Sequence, residues 1–359
     1  MTELLTGTDL ARIANLSEFE PFAIERMTGP AYDYVAGGAW DEVTLRESVD
    51  AWRRYRFVPR VLREMRSIDV AGSFLGRRSA LPVAVAPMAA QGLAHAGGEA
   101  EMLRGAAEAG IPFCLSTTSS LKLEDVASAA PDAERWFQLY VIGGLGYSRR
   151  LVERAEAAGF RALVVTVDLP VLGRRERDVR SGFELPALPH LDAADDERDR
   201  RYGAIEDQWI AGLTWETIAE IGTWSSMPLV IKGILSPEDA RLAAEAGVAG
   251  IVVSTHGGRQ LDRSISTADA LPAIVEAVAG RCEVWVDGGI RRGLDVLTAI
   301  ALGATGVLVG RPFYWALAAA GQAGVVRASE ILAAELALAL PLLGCASIAD
   351  LGPDLLAPP

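Results

Sequence analysis

The sequence is poor in the residues that build metal sites and disulfide frameworks. Three cysteines, Cys114, Cys282 and Cys345, are scattered over 359 residues. They are odd in number and outside any CxxC spacing, so they read as reduced thiols and not as a disulfide or metal set. Three histidines, His95, His190 and His256, are too few for a histidine-based metal site. Positive charge is short as well. A net charge of −13 argues against a nucleic-acid partner and against an anionic membrane surface. Any anionic ligand must then be held by a few placed Arg and Lys side chains. No apolar run is long enough to span a bilayer. The N-terminus, MTELLTGTDLARIANLSEFE, is too mixed and acidic for a signal peptide, so the expected location is the cytoplasm. A GxGxxG between strand and helix and a GxxxxGK[ST] are both missing, which removes support for Rossmann and P-loop readings.

What is present is a repeated alternation. Residues 1–79 read as a helical, irregular N-terminal segment, with SEFEPFAIERM and AWDEVTLRESVDAWRRY at helix-like spacing. From 80 to 320, eight short apolar runs alternate with Ala/Glu/Leu/Arg-rich helices: 81–87, 112–118, 135–141, 162–168, 229–234, 250–255, 283–289 and 306–311. The runs lack period-two alternation, as strands covered by helices on both faces do. Eight βα units in about 240 residues predict a (β/α)8 TIM barrel in one domain spanning 1–359, with C-terminal helices over 321–359. A doubly wound open sheet is the rival. About 60 residues separate the fourth and fifth strands, far more than elsewhere, and the charged, Pro-containing stretch at about 170–212 reads as a mobile lid loop.

In such a barrel the site lies at the C-terminal strand ends, and the unusual polar residues fall there. Lys232 sits inside an apolar strand and needs an anionic partner. His256 lies in the glycine turn STHGGR. Alone it would read as a structural histidine. Asp168, ending another strand, and Arg259 make a coherent set with it: a base, an orienting carboxylate and a cation for an acid. His95 is expected to be structural or near the site, and His190, in the long loop, to be solvated. The two strand-to-helix junctions Asp287-Gly288-Gly289-Ile290-Arg291 and Gly310-Arg311-Pro312 suggest a phosphate site.

VVSTHGGRQLD and VDGGIRRGLDVLTAIALGATGVLVGRP, with YDYVAGGAWDEVTLRES, VAVAPMAAQGLAHAGGE, RWFQLYV, VVTVDLPVLGRRERDVR and PLVIKGI, resemble the FMN-dependent 2-hydroxy-acid oxidase and dehydrogenase family over nearly the whole chain. That family includes glycolate oxidase, lactate oxidase, mandelate dehydrogenase and 4-hydroxymandelate oxidase. The resemblance implies His256 as base, Asp168 as its carboxylate partner, and Arg175 with Arg259 as the grip on a substrate carboxylate. It implies Tyr34 and Tyr140 as hydroxyls around the substrate and Lys232 as the cation beside flavin N1 and O2. It implies Ala86, Pro87, Met88, Ala89, Ser116, Gln138, Thr166 and Ser254 as flavin contacts, and Asp287, Gly289, Arg291, Gly310 and Arg311 at the phosphate. Thr255 stands where the family usually has Asn, and Met88 where Thr or a small aliphatic residue is common. Ala89 leans toward O2 as acceptor, with hydrogen peroxide as product. The resemblance implies FMN as cofactor, a small 2-hydroxy acid as substrate, lactate-like or mandelate-like, and a homo-oligomer, tetramer or octamer. Two alternatives stay open: a flavin-dependent dehydrogenase, isomerase or tailoring enzyme, and a barrel that binds a phosphorylated metabolite without catalysis.

Overall fold

The computed structural model describes residues 4–142, 144–192 and 213–357. Eight parallel strands close into a barrel: β1 (Val83–Val85), β2 (Phe113–Ser116), β3 (Arg135–Leu139), β4 (Leu163–Thr166), β5 (Leu229–Ile234), β6 (Gly250–Val253), β7 (Glu283–Asp287) and β8 (Gly306–Val309). Each pairs with its successor, as at Phe113↔Arg135 and Thr166↔Lys232, and β8 returns to β1 at Val307↔Val83. All eight fall inside the predicted runs. The open-sheet alternative is excluded by closure.

The strands are buried on both faces, which explains their unbroken apolar composition. Outward residues such as Phe113, Val165, Ile251 and Val307 join the large core under the helices. Inward residues, among them Ala84, Cys114, Trp136, Val164, Val252, Trp285 and Leu308, form a second core inside the barrel. Its base is closed by a hairpin, Gly72–Phe74 with Arg77–Ser79, that the sequence reading did not single out. Leu75 and Gly76 both take positive φ, as a tight hairpin turn requires. Phe74 then meets Trp136 and Trp285 edge-on at 5.4 and 5.3 Å, and the two indoles stack at 4.8 Å.

Around the barrel run α1 (Gly98–Glu108), α2 (Leu123–Ala129), α3 (Leu145–Ala157), α4 (Trp215–Ile221), α5 (Pro237–Glu245), α6 (Thr267–Val278), α7 (Gly293–Ala301) and α8 (Arg311–Leu343). Their starts carry the expected signals: Ser236 and Ser266 accept the backbone N–H of Asp239 and Asp269. Helical geometry breaks within α8 at Ala320 and Gly321, so the last barrel helix and the C-terminal helix meet there. Among the described residues, no helix is long and apolar enough to cross a membrane. The three cysteines are free.

Two local readings are corrected. The helix expected from Ala39 begins at Val43, because Trp40 and Glu42 are left-handed and the Glu42 carboxylate instead takes the Gly38 N–H and pairs with Arg177. His190 is not solvated but wholly buried. Its Nε2 accepts the Leu123 N–H at 3.1 Å and its Nδ1 lies 3.1 Å from the Thr117 carbonyl. Burial pushes it down to about 4, so it is neutral. Of the expected lid at about 170–212, residues 193–212 lie outside the described residues.

Candidate active site

After β6 the chain turns sharply. His256, Gly257 and Gly258 have φ of 55°, 65° and 73°, a run that only glycine-rich sequence sustains. A Cβ at 258 would stand 2.7 Å from the Leu45 nitrogen, and one at 257 would stand 2.9 Å from Arg311. The His256 N–H donates to Ser254 Oγ at 3.0 Å. This turn brings His256 Nδ1 to 2.9 Å from Asp168 Oδ1. An ionised carboxylate only accepts, so Nδ1 carries the proton and Nε2 presents its lone pair. Tyr140 Oη lies 3.2 Å from that Nε2.

The rest of HGGRQLD holds this arrangement. Gln260 Nε2 donates to the carbonyls of Asp168 and Val171 at 3.0 and 2.9 Å, and its Oε1 accepts the Gly173 N–H. One side chain therefore fixes the segment bearing both Asp168 and Arg175. Asp262 accepts the Thr44 N–H at 2.8 Å and ties in the N-terminal segment.

Charge sets the protonation states. Burial depresses His256, and Lys232 and Arg175 add to that against the opposing pull of Asp168. Burial alone would raise Asp168, but the charge and hydrogen bond of His256, with Lys232, hold it below the usual carboxylate range. Burial would depress Lys232, yet Asp287 and Asp168 outweigh it and raise its pKa. Lys232 Nζ donates to Ser254 Oγ at 2.8 Å and lies 3.1 Å from Asp287 Oδ2. The resting site thus holds a neutral imidazole, an ionised carboxylate and an ammonium.

A cleft opens at the strand ends, with about 1170 Å³ of space free of protein atoms, solvent opening included. Of the expected residues, Tyr34, Ala86, Pro87, Met88, Ala89, Tyr140, Arg175, Lys232, His256, Arg259, Asp287, Gly289, Arg291, Gly310 and Arg311 line it. Ser116, Gln138, Thr166, Ser254 and Asp168 do not, and Asp168 acts on the cleft through His256. Gln138 accepts from Ser116 Oγ and donates to Thr166 Oγ1, both at 3.0 Å, forming a buried polar layer, while Ser254 supports Lys232 and His256. His95 is structural: its Nδ1 accepts the Gly97 N–H at 3.1 Å. The sequence reading missed Leu172, Leu185 and Tyr314, which also line the cleft. Tyr314 was marked only by its place in the helix start after β8.

Among the described residues, five cations line the cleft against one lining carboxylate, Asp287. Burial and the neighbouring guanidinium groups of Arg259 and Arg291 push Arg311 down to about 9, which still leaves it protonated at neutral pH. Its guanidinium donates to the carbonyls of Val35, Gly257 and Gly37, each at 2.9 Å, so two of its five N–H groups stay available. Burial likewise depresses Arg291. Arg175 is buried, and its Nε has no hydrogen-bond partner among the described residues. Arg259 donates to the carbonyls of Tyr34 and Gly37 and stacks over the Tyr34 ring at 4.9 Å. Asp287 Oδ1 and Thr255 Oγ1 are also buried without partners among the described residues. Such a cleft calls for two anionic groups and further polar atoms. A flavin mononucleotide and a carboxylic acid fit that demand: Lys232, Ala86–Ala89, Gly289, Arg291, Gly310 and Arg311 would hold the first.

A family model described as FMN-dependent dehydrogenase matches residues 23–358. The L-lactate oxidase of Nostoc sp. is 44% identical over 361 residues, covering 96% of this chain and 98% of its own. The 4-hydroxymandelate oxidase of Amycolatopsis orientalis is 46% identical over 342 residues, covering 93% and 95%. A mandelate oxidase solved with (S)-4-hydroxymandelic acid superposes with a TM-score of 0.88 at 45% identity, over 94% of this chain and 96% of that one. With these matches and a cleft built for a phosphate and an acid, the chain belongs to the FMN-dependent dehydrogenase family.

Proposed function

We propose that this cleft oxidises a 2-hydroxy acid to the 2-oxo acid with His256 as the base and O2 as the final acceptor. The balance is one 2-hydroxy acid and one O2 giving one 2-oxo acid and one H2O2. FMN, when bound, accepts the two electrons from the substrate and passes them on. The observation that carries the reading is the buried His256–Asp168 contact at 2.9 Å, with Nε2 turned toward Tyr140.

Arg175, aided by Arg259, takes the substrate carboxylate, which suits a planar guanidinium fork. Tyr34 and Tyr140 flank the reacting carbon. His256 Nε2 accepts a substrate proton, and the ionised Asp168 stabilises the imidazolium so formed. Lys232 holds positive charge where electron density collects. The buried Nε of Arg175, without a partner among the described residues, favours an acid substrate over an isomerase or a tailoring reaction on a neutral one. Ala89 on the cleft wall and relatives named as oxidases support O2 as acceptor.

Anaerobic mixing of the yellow holoenzyme with 2-hydroxy acids tests this. The expected result is bleaching of flavin absorbance, recovered with peroxide release when O2 is admitted. Bleaching without reoxidation by O2 overturns the acceptor. No bleaching with any aliphatic or aromatic 2-hydroxy acid overturns the substrate class. A homo-oligomer, tetramer or octamer, follows from the family resemblance, and the exposed Val61, Leu62, Leu338 and Leu342 support it; light scattering on a monomer would contradict it.

A further inference from the structure

Arg311 opens α8 after β8, yet its side chain ends two strands away, on the turn after β6. Its guanidinium donates there to the Gly257 carbonyl, and to the carbonyls of Val35 and Gly37 in the N-terminal segment, each at 2.9 Å. The fit at the turn is close: a Cβ on Gly257 would stand 2.9 Å from Arg311 Nη1. The same two pieces of chain are joined twice more. The Ala39 N–H donates to the Gly258 carbonyl at 2.9 Å. Arg259, ending the turn, donates to the carbonyls of Tyr34 and Gly37. The Gly37 carbonyl therefore accepts from both arginines.

Tyr34, His256 and Arg259 thus stand on two strips of chain, 34–39 and 256–259, that Arg311 ties together. The helix Gly29–Ala36 ends before Gly37, so residues 37–39 rest on these contacts and on the Glu42 carboxylate, which takes the Gly38 N–H. Arg311 is held here by neutral carbonyls alone, while the guanidinium groups of Arg259 and Arg291 repel it. An anion at its end of the cleft supplies the missing attraction, and its two remaining N–H groups suit a phosphate.

We infer that Arg311 is a positioning residue as well as an anion ligand: phosphate on it locks residues 34–39 onto the 256–259 turn and so tightens binding of the acid at Tyr34 and Arg259. This rests on the reading that the cleft holds FMN and a 2-hydroxy acid. The sign separates the inference from plain electrostatics. Two anions in one cleft repel, so without the structural link phosphate weakens acid binding. With the link, phosphate strengthens the acid and the acid strengthens phosphate by one common factor, about 5–150-fold.

The test uses the full chain freed of FMN and reloaded with riboflavin, which lacks the phosphate. 2-Hydroxyisobutyrate, which has no hydrogen on C2 to lose, is titrated by flavin difference spectra with and without inorganic phosphate at constant ionic strength. An acid Kd lowered about fivefold or more by phosphate supports the inference. On the flavin-free chain, inorganic phosphate should also slow hydrogen exchange at the Ala39 amide. Arg311→Lys keeps the charge but not the planar fork across three carbonyls, so both effects should vanish in it at saturating phosphate. An acid Kd unchanged or raised by phosphate overturns the inference, as does Ala39 exchange indifferent to phosphate or an Arg311→Lys protein that keeps both effects. If no 2-hydroxy acid bleaches the FMN holoenzyme while phosphate still tightens the carboxylate, the oxidase reading fails and the coupling stands.

Discussion

His256 is the residue where local strain and chemistry meet. Its left-handed φ of 55° is tolerated best by Asn, Asp or Gly among replacements, so His256→Asn is the substitution that removes the base and keeps the turn. We expect kcat to fall by about 10²–10⁴-fold with flavin absorbance retained, measured by anaerobic single-turnover reduction. The pH profile follows from the same group. The base works when neutral, and burial puts its pKa below the ordinary 6.5. kcat/KM should therefore be flat at neutral pH and fall as pH drops through a value under 6.5. In Asp168→Asn the interactions that raise the imidazole pKa are gone, so the acid limb should move to still lower pH while the plateau drops. An acid limb moving upward in that variant would contradict the assigned partnership. From the sequence, His256 could be singled out only through its company and its motif; the distance to Asp168 depends on how β4 and β6 are set in the barrel.

At the scale of elements, the segment after β4 is fixed at two points. Gln260 holds its outgoing arm, and Gln260→Leu removes the hydrogen bonds to Asp168, Val171 and Gly173 together. We expect kcat/KM to fall about ten- to hundredfold, with the flavin still bound, by steady-state assay. His190 holds the arm further along. Its pKa of about 4 in the folded chain lies below the unfolded value, so between pH 6.5 and 4 the unfolded chain takes up a proton that the native one refuses. Stability from this group is therefore lost as pH falls through that window, by about 3 kcal/mol at its lower end. His190→Asn should lower Tm at pH 7 and show a smaller further drop at pH 4.5 than the wild type; equal drops would contradict this. The strands were legible because each is an apolar run buried on two faces. His190 was not, because it lies in a charged stretch and its partners, Thr117 and Leu123, are distant in sequence.

For the whole molecule, the barrel has a catalytic end and a closed end. Phe74 seals the closed end against Trp136 and Trp285. Phe74→Ala should cost about 3–5 kcal/mol of stability, seen as a lowered Tm, with KM for the acid unchanged, since the cleft lies at the opposite strand ends. A changed KM with an unchanged Tm would contradict that division of labour.

The sequence by itself determined the eight-fold alternation, hence the barrel and the end at which its polar residues collect. It also carried the family signature in HGGRQLD. Both are local or periodic properties, set by which residues are apolar and which turns need glycine. Tertiary structure alone decided which polar atoms stay unpartnered, why Gln260 belongs to the site, and that Ser116, Gln138 and Thr166 support the cleft from outside its lining. It also decided that Leu172 and Leu185 line the cleft. These depend on the register of β4 against β5 and β6 and on burial, which no run of neighbouring residues encodes.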